Sequence, residues 1–156
     1  MKHLSPTLIT VKTNSTNQDF IDLVKQLDIY LAEKDGKDHA FYDQYNKLDK
    51  IKHVIIAYEN NKPVGCGAIK EYDANAMEVK RMFTLPECRG KGVAAKVLEE
   101  LEKWATELGY EKCILETGKR QPEAIALYKK SGYKIISNYG QYVGMNNSVC
   151  FEKEMK

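Results

Sequence analysis

The period of the apolar positions changes several times along the first half of the chain, and each change marks an element. Leu8, Ile9 and Val11 form a short extended stretch after Pro6, and the polar run from Thr13 to Gln18 reads as a loop. From Asp19 onward Phe20, Ile21, Val24, Leu27, Ile29 and Leu31 recur mostly at three- and four-residue steps. That spacing predicts an amphipathic helix, stopped by Asp35-Gly36. Phe41, Tyr45 and Leu48 repeat it and predict a second, shorter helix. The β-branched and aromatic run His53 to Tyr58, the turn signal Asn60-Asn61-Lys62-Pro63 and the run Val64 to Ile69 predict a hairpin. After Asp73-Ala74-Asn75, the stretch from Met77 to Leu85 alternates charged and apolar residues, so a third antiparallel strand completes a meander.

Beyond Gly92 the pattern becomes strongly helical. Val93, Val97, Leu98, Leu101, Trp104, Ala105 and Leu108 make one stripe, Lys96, Glu99, Glu100, Lys103 and Glu107 face away, and Gly109 supplies the stop. Cys113-Ile114-Leu115 reads as a strand. Pro122 fits the first turn of a helix carrying Ala124, Ile125, Leu127 and Tyr128, stopped by Gly132. Tyr133 to Ile136 and Ser148 to Phe151 close the order as strands. The reading is an α/β mixture, in the α+β sense, around one sheet, with residues 1–156 as a single domain.

Composition narrows the function classes. Lys+Arg 24 against Asp+Glu 22 leaves a net charge of +2, so no overall field directs the chain to nucleic acid or an anionic membrane. Hydrophobic residues at 43% and charged residues at 29% suit a soluble globule, and no apolar run has the length of a membrane span. Cys66, Cys88, Cys113 and Cys150 contain no C-x-x-C pair, and His3, His39 and His53 are the only other soft ligands. No metal is therefore expected, and free thiols in a reducing cytoplasm are.

Any anion must then be held locally, and Arg89-Gly90-Lys91-Gly92-Val93-Ala94-Ala95 is the candidate. A helix start presents unpaired N–H groups and a partial positive charge, and glycines let a phosphate approach the backbone. The alternative is a turn with glycines for bending only. A Walker loop is absent. Gly90, Gly92 and Ala95 match a dinucleotide-binding G-x-G-x-x-A, with Glu116 about 20 residues on, where a ribose-binding acid would be sought. That motif needs a buried apolar strand directly before it, whereas Glu78, Lys80 and Arg81 charge the strand here and Leu85 to Arg89 intervene.

The stretch Glu78 to Ala94 resembles instead the acetyl-CoA motif of the GNAT N-acetyltransferase superfamily, [RQ]-x-x-G-x-[GA], filled by Arg89, Gly92 and Ala94. A second block of that family, N-x-x-A-x-x-L-Y-x-K-x-G-[FY], is matched by Ala124, Leu127, Tyr128, Lys130, Gly132 and Tyr133, with Gln121 in place of the asparagine. The resemblance implies a mixed, mostly antiparallel twisted sheet of about six to seven strands flanked by about four helices. It implies acetyl-CoA as cosubstrate, its pantetheine arm on the main chain of Met82, Phe83 and Thr84. The pyrophosphate would lie on Arg89, Gly90, Lys91, Gly92, Val93, Ala94 and Ala95, with Gln121 adding an amide contact. Pairing into a homodimer is a common arrangement of such proteins.

The resemblance also supplies roles. Acetyl transfer to an amine needs a base for the ammonium, donors for the oxyanion and a proton for the thiolate. Glu78 takes the first role, N–H groups near Phe83 the second, and Tyr128 the third. The plainer alternatives are a solvated Glu78–Lys80 pair and a Tyr128 that only completes its helix face. Cys88, beside Arg89 and near a helix start, is read as non-catalytic along with the other thiols. Arg81, Lys119 and Arg120 could clamp an acceptor carboxylate, with Glu116 in a substrate loop, and the polar aromatic loop Asn138 to Tyr142 could shape the pocket. The acceptor expected is a small-molecule primary amine, amino-acid-like if the clamp exists. A protein lysine or N-terminal acetyltransferase and a non-catalytic acyl-CoA sensor are the alternatives.

Overall fold

The computed structural model describes residues 7–38 and 50–155. The expected short helix from Phe41 to Leu48 lies outside them. The described elements run β1 (Leu8–Thr13), α1 (Gln18–Asp35), β2 (His53–Glu59), β3 (Lys62–Glu71), β4 (Ala76–Thr84), α2 (Val93–Glu107), β5 (Lys112–Gly118), α3 (Pro122–Lys130), β6 (Lys134–Ile136) and β7 (Ser148–Glu154). They follow the expected order, with β5 and β7 longer than the apolar runs that announced them.

Local chemistry sets the joints. The Asn17 side chain caps α1 by accepting from the Phe20 N–H at 3.2 Å. Asn60 and Asn61 both take positive φ, as the two-residue turn between β2 and β3 requires. Asp73 Oδ1 accepts from the N–H groups of Asn75 and Ala76 at 2.8 and 2.9 Å and starts β4.

The seven strands form one sheet in the order β1-β2-β3-β4-β5-β7-β6, antiparallel everywhere except between β4 and β5. Consecutive buried residues in β2 (Val54 to Ala57) and β3 (Val64 to Ile69) mean that both faces are covered, because successive side chains point to opposite sides. Helix α2 covers one face with Val93, Val97, Leu98, Leu101 and Ala105. Helix α1 contributes Phe20, Leu23, Val24 and Leu27 to the same core.

Two irregularities in β4 position the site. Gly67 of β3 faces two residues of β4, Arg81 and Met82, in a bulge where Arg81 adopts φ +61. The parallel pairing with β5 covers only Ala76–Lys112, Met77–Cys113 and Glu78–Ile114. Both strands continue beyond these pairs, so the sheet opens between Val79 to Thr84 on one side and Leu115 to Gly118 on the other.

Gly67 is small for a reason. A Cβ there would lie 2.5 Å from Met82 Sδ and 2.9 Å from both Leu101 Cδ1 and Val97 Cγ1. Replacing Gly67 by Val should therefore cost about 1–3 kcal/mol by overpacking under α2, read as a lower urea midpoint at unchanged slope.

Candidate active site

The opening between β4 and β5 holds a cavity of about 110 Å³. Leu27 and Leu31 of α1, Glu78 to Met82 of β4, Glu116 to Gly118 of β5, and Gln121, Ala124 and Tyr128 at and in α3 line it, with Tyr142. It is smaller than the roughly 150 Å³ that accepts a benzene ring in an engineered cavity.

Glu78 stands where the strands part. Its side chain is only 12% exposed, Oε2 accepts from the Tyr139 hydroxyl at 2.6 Å, and Oε1 lies 3.9 Å from Lys80 Nζ. The solvated-pair alternative therefore does not hold, since the Lys80 side chain is also 12% exposed. Burial pushes the Lys80 ammonium below the usual lysine range, against the opposing pull of Glu78. Burial, reinforced by the Glu78 charge, pushes Tyr139 far up, so this phenol remains a donor to Glu78 at any neutral pH.

Glu116 of β5 accepts from Ser148 Oγ at 2.9 Å. Tyr128 of α3 is buried, its ring held against Tyr133 and Phe151 at centroid distances of 5.8 Å. It completes the core face of α3 and also borders the cavity. Burial, then the charge of Glu116, raises its pKa, which keeps the phenol protonated. Gln121 occupies the N-cap position of α3, and its Nε2 approaches the backbone of Gly118, 3.3 Å from where a Cβ there would be.

The glycine-rich turn lies beyond the end of β4. Gly90 and Gly92 take φ +78 and +86, and Gly92 caps α2. The first helical acceptor bond is from Lys96 N–H to the Gly92 carbonyl at 3.0 Å. The N–H groups of Val93, Ala94 and Ala95 thus belong to the open first turn of α2. Val93 is buried and could meet a ligand only through its main chain, whereas Lys91 is exposed.

The arginine side chains around the site are held by partners of their own. The Arg89 side chain turns back, its Nε donating to the Thr84 carbonyl at 3.3 Å and its guanidinium 5.1 Å from the centre of the Tyr30 ring. The three-cation clamp does not form one cluster. Arg81 borders the cavity, but it is 2% exposed in its side chain and its Nη1 donates to Asp28 of α1 at 3.2 Å. Arg120 donates to the Lys34 carbonyl at 3.2 Å, and neither it nor the exposed Lys119 lines the cavity.

The loop from Asn138 to Tyr142 does reach the cavity. Asn138 Nδ2 fixes it through the carbonyls of Tyr142 and Met145 at 3.2 and 3.1 Å. Sequence reasoning marked this loop for its aromatic residues but did not assign Tyr139 to Glu78, Asp28 to Arg81 or Ser148 to Glu116.

Comparison with known proteins agrees with this fold. A model of the acetyltransferase (GNAT) family matches residues 18–133. An IAA acetyltransferase of Azospirillum brasilense is 31% identical over 150 residues, covering 94% of this chain and 98% of the relative. A Klebsiella pneumoniae structure described provisionally as an acyl-CoA N-acyltransferase superposes with TM-score 0.80 at 27% identity, covering 96% of this chain and 99% of that one. A GNAT family acetyltransferase of Elizabethkingia anophelis, solved with acetyl-CoA bound, shares the fold with TM-score 0.67 at 18% identity, covering 97% and 100%.

Cys66, Cys88, Cys113 and Cys150 are free and buried. Burial raises Cys66 and Cys113 to about 12 and Cys150 to about 11, against the ordinary 9.0. Because the folded values lie above the unfolded one, these thiols stabilise the fold fully below pH 9.0, and that contribution declines as pH rises past it. Native protein at about pH 8 should leave these three cysteines unmodified by iodoacetamide and release them on unfolding, as peptide mass spectrometry will read. Urea midpoints should fall between about pH 9 and pH 11.

Proposed function

The chain belongs to the GNAT acetyltransferase family, and from that premise we propose that it transfers the acetyl group of acetyl-CoA to a small primary amine by direct attack in a ternary complex. The observation that carries the reading is that Glu78 and Tyr128 border one cavity, at the point where β4 and β5 part.

Support comes from both ends of the cofactor path. The edge of β4 from Val79 outward is not paired to β5, which leaves main-chain groups of Met82, Phe83 and Thr84 for a pantetheine arm. The open first turn of α2, with Gly90 and Gly92 before it, offers oriented N–H groups and the positive end of the helix dipole to a pyrophosphate. The near-neutral chain needs no larger field to hold that anion.

Within the cavity Glu78 takes the proton of the acceptor ammonium, directly or through a water. The neutral amine attacks the thioester carbonyl, N–H groups near Phe83 stabilise the oxyanion, the carbon–sulfur bond breaks as the nitrogen loses its second proton to water, and Tyr128 protonates the departing thiolate and is reprotonated from water. Tyr139 holds one oxygen of Glu78, leaving the other toward Lys80 and the cavity. The small volume suits a slender acceptor group. The charges also suit an amino-acid-like amine, with Glu78 and Glu116 for its ammonium and Lys80 for its carboxylate.

Replacing Gly92 by Glu, which puts bulk and negative charge at a φ of +86, should abolish CoA binding in calorimetry while circular dichroism stays that of the folded chain. Unaltered affinity would overturn the cofactor site. Tyr128→Phe should lower turnover about 10²–10⁴-fold with CoA affinity retained, in a thiol-release screen against amino acids, polyamines and peptides. Thiol release with none of these, in a chain that binds CoA, would favour an acyl-CoA sensor.

A further inference from the structure

Lys80 is an amine that the proposed reaction does not consume, and it lines the cavity together with Glu78, Met82 and Tyr128. Its Nζ stands 3.9 Å from the carboxylate that serves as base, on a side chain only 12% exposed. In about 110 Å³ an acyl group and this amine are close neighbours. We propose that Lys80 is a self-acetylation site, its ε-amine taking the acetyl group of bound acetyl-CoA when no acceptor amine fills the cavity. This rests on the reading that acetyl-CoA lies along β4 with its thioester near Met82.

The step balances with groups already named. The Lys80 nitrogen forms a bond to the thioester carbonyl carbon, the carbon–sulfur bond breaks, the surplus proton of the amine passes to Glu78, and Tyr128 protonates the thiolate. Glu78 and Tyr128 then exchange protons with water, leaving CoA and a neutral amide.

Burial favours the neutral amine that such an attack needs, and the charges of Arg81 and Lys70 act in the same direction. Glu78 and Glu116 oppose it. An exposed lysine such as Lys103 has no comparable environment. The product would fill acceptor space and remove the cation facing Glu78, so a modified chain should keep CoA affinity and lose turnover.

The test incubates the full chain with acetyl-CoA and no acceptor, then follows acetylation of each lysine by peptide mass spectrometry, with calorimetry of CoA binding alongside. Lys80 should be labelled at least about tenfold faster than Lys103 or Lys119, as expected for an amine held beside its donor. Excess CoA lacking the acetyl group should suppress labelling of Lys80 and leave Lys103 unchanged, and Glu78→Gln should slow Lys80 alone. Equal rates at Lys80 and Lys103, or labelling that CoA does not suppress, in a chain that binds CoA overturns self-acetylation and leaves the cofactor reading standing. A chain that binds no CoA overturns both.

Discussion

Everything chemical in this protein depends on two parallel strands that stop pairing after three residues each. A parallel ladder is normally continuous and buried, and a break in one leaves backbone donors and acceptors to be satisfied some other way. Here the break follows Glu78 on β4 and Ile114 on β5. The bulge at Arg81 and Met82, opposite Gly67, sharpens the bend of β4. A positive φ at a non-glycine residue is costly, by about 1–3 kcal/mol, so the surrounding packing must impose it. The absence of a side chain at Gly67 makes the packing possible, since Met82, Val97 and Leu101 occupy the space a Cβ would take.

The cavity so created holds more charge than its size would suggest. Glu78, Lys80, Arg81 and Glu116 all border it, and burying ions is expensive unless each is compensated. The compensation comes from outside β4. Tyr139 serves Glu78, Ser148 serves Glu116, and Asp28 serves Arg81. Each partner is supplied by a different element, so the charged cluster is assembled only when the loop before β7, β7 itself and α1 are in place. Low local dielectric strengthens these contacts and raises the phenols of Tyr128 and Tyr139, which keeps both protonated.

This division explains what the sequence could and could not disclose. The stripe from Val93 to Ala105 and the glycines before it are local patterns, and both the helix and the open turn follow from neighbours a few residues apart. Glu78 and Tyr128 were reachable through motif resemblance, which carries spatial information that periodicity lacks. The bond from Tyr139 to Glu78 joins residues 61 positions apart through a loop whose shape is set by one asparagine side chain, and no period encodes that. Arg81 is a similar case. Its place in a charged, alternating strand gives no sign that its side chain is buried and donates to Asp28 of α1.

Helix α1 resolves the mechanical problem that the parted strands create. A sheet divided between β4 and β5 has little backbone pairing to keep its halves in register, so side chains must span the gap. Arg81 from β4 pairs with Asp28, Arg89 from the glycine turn rests on Tyr30, and Arg120 from the segment after β5 donates to the Lys34 carbonyl. Tyr30 also reaches Glu123 of α3 at 3.5 Å. Three arginines from both sides of the opening thus converge on the C-terminal half of one helix. The same contacts that hold the halves together therefore set the width of the opening, and any ligand entering it must be accommodated by α1.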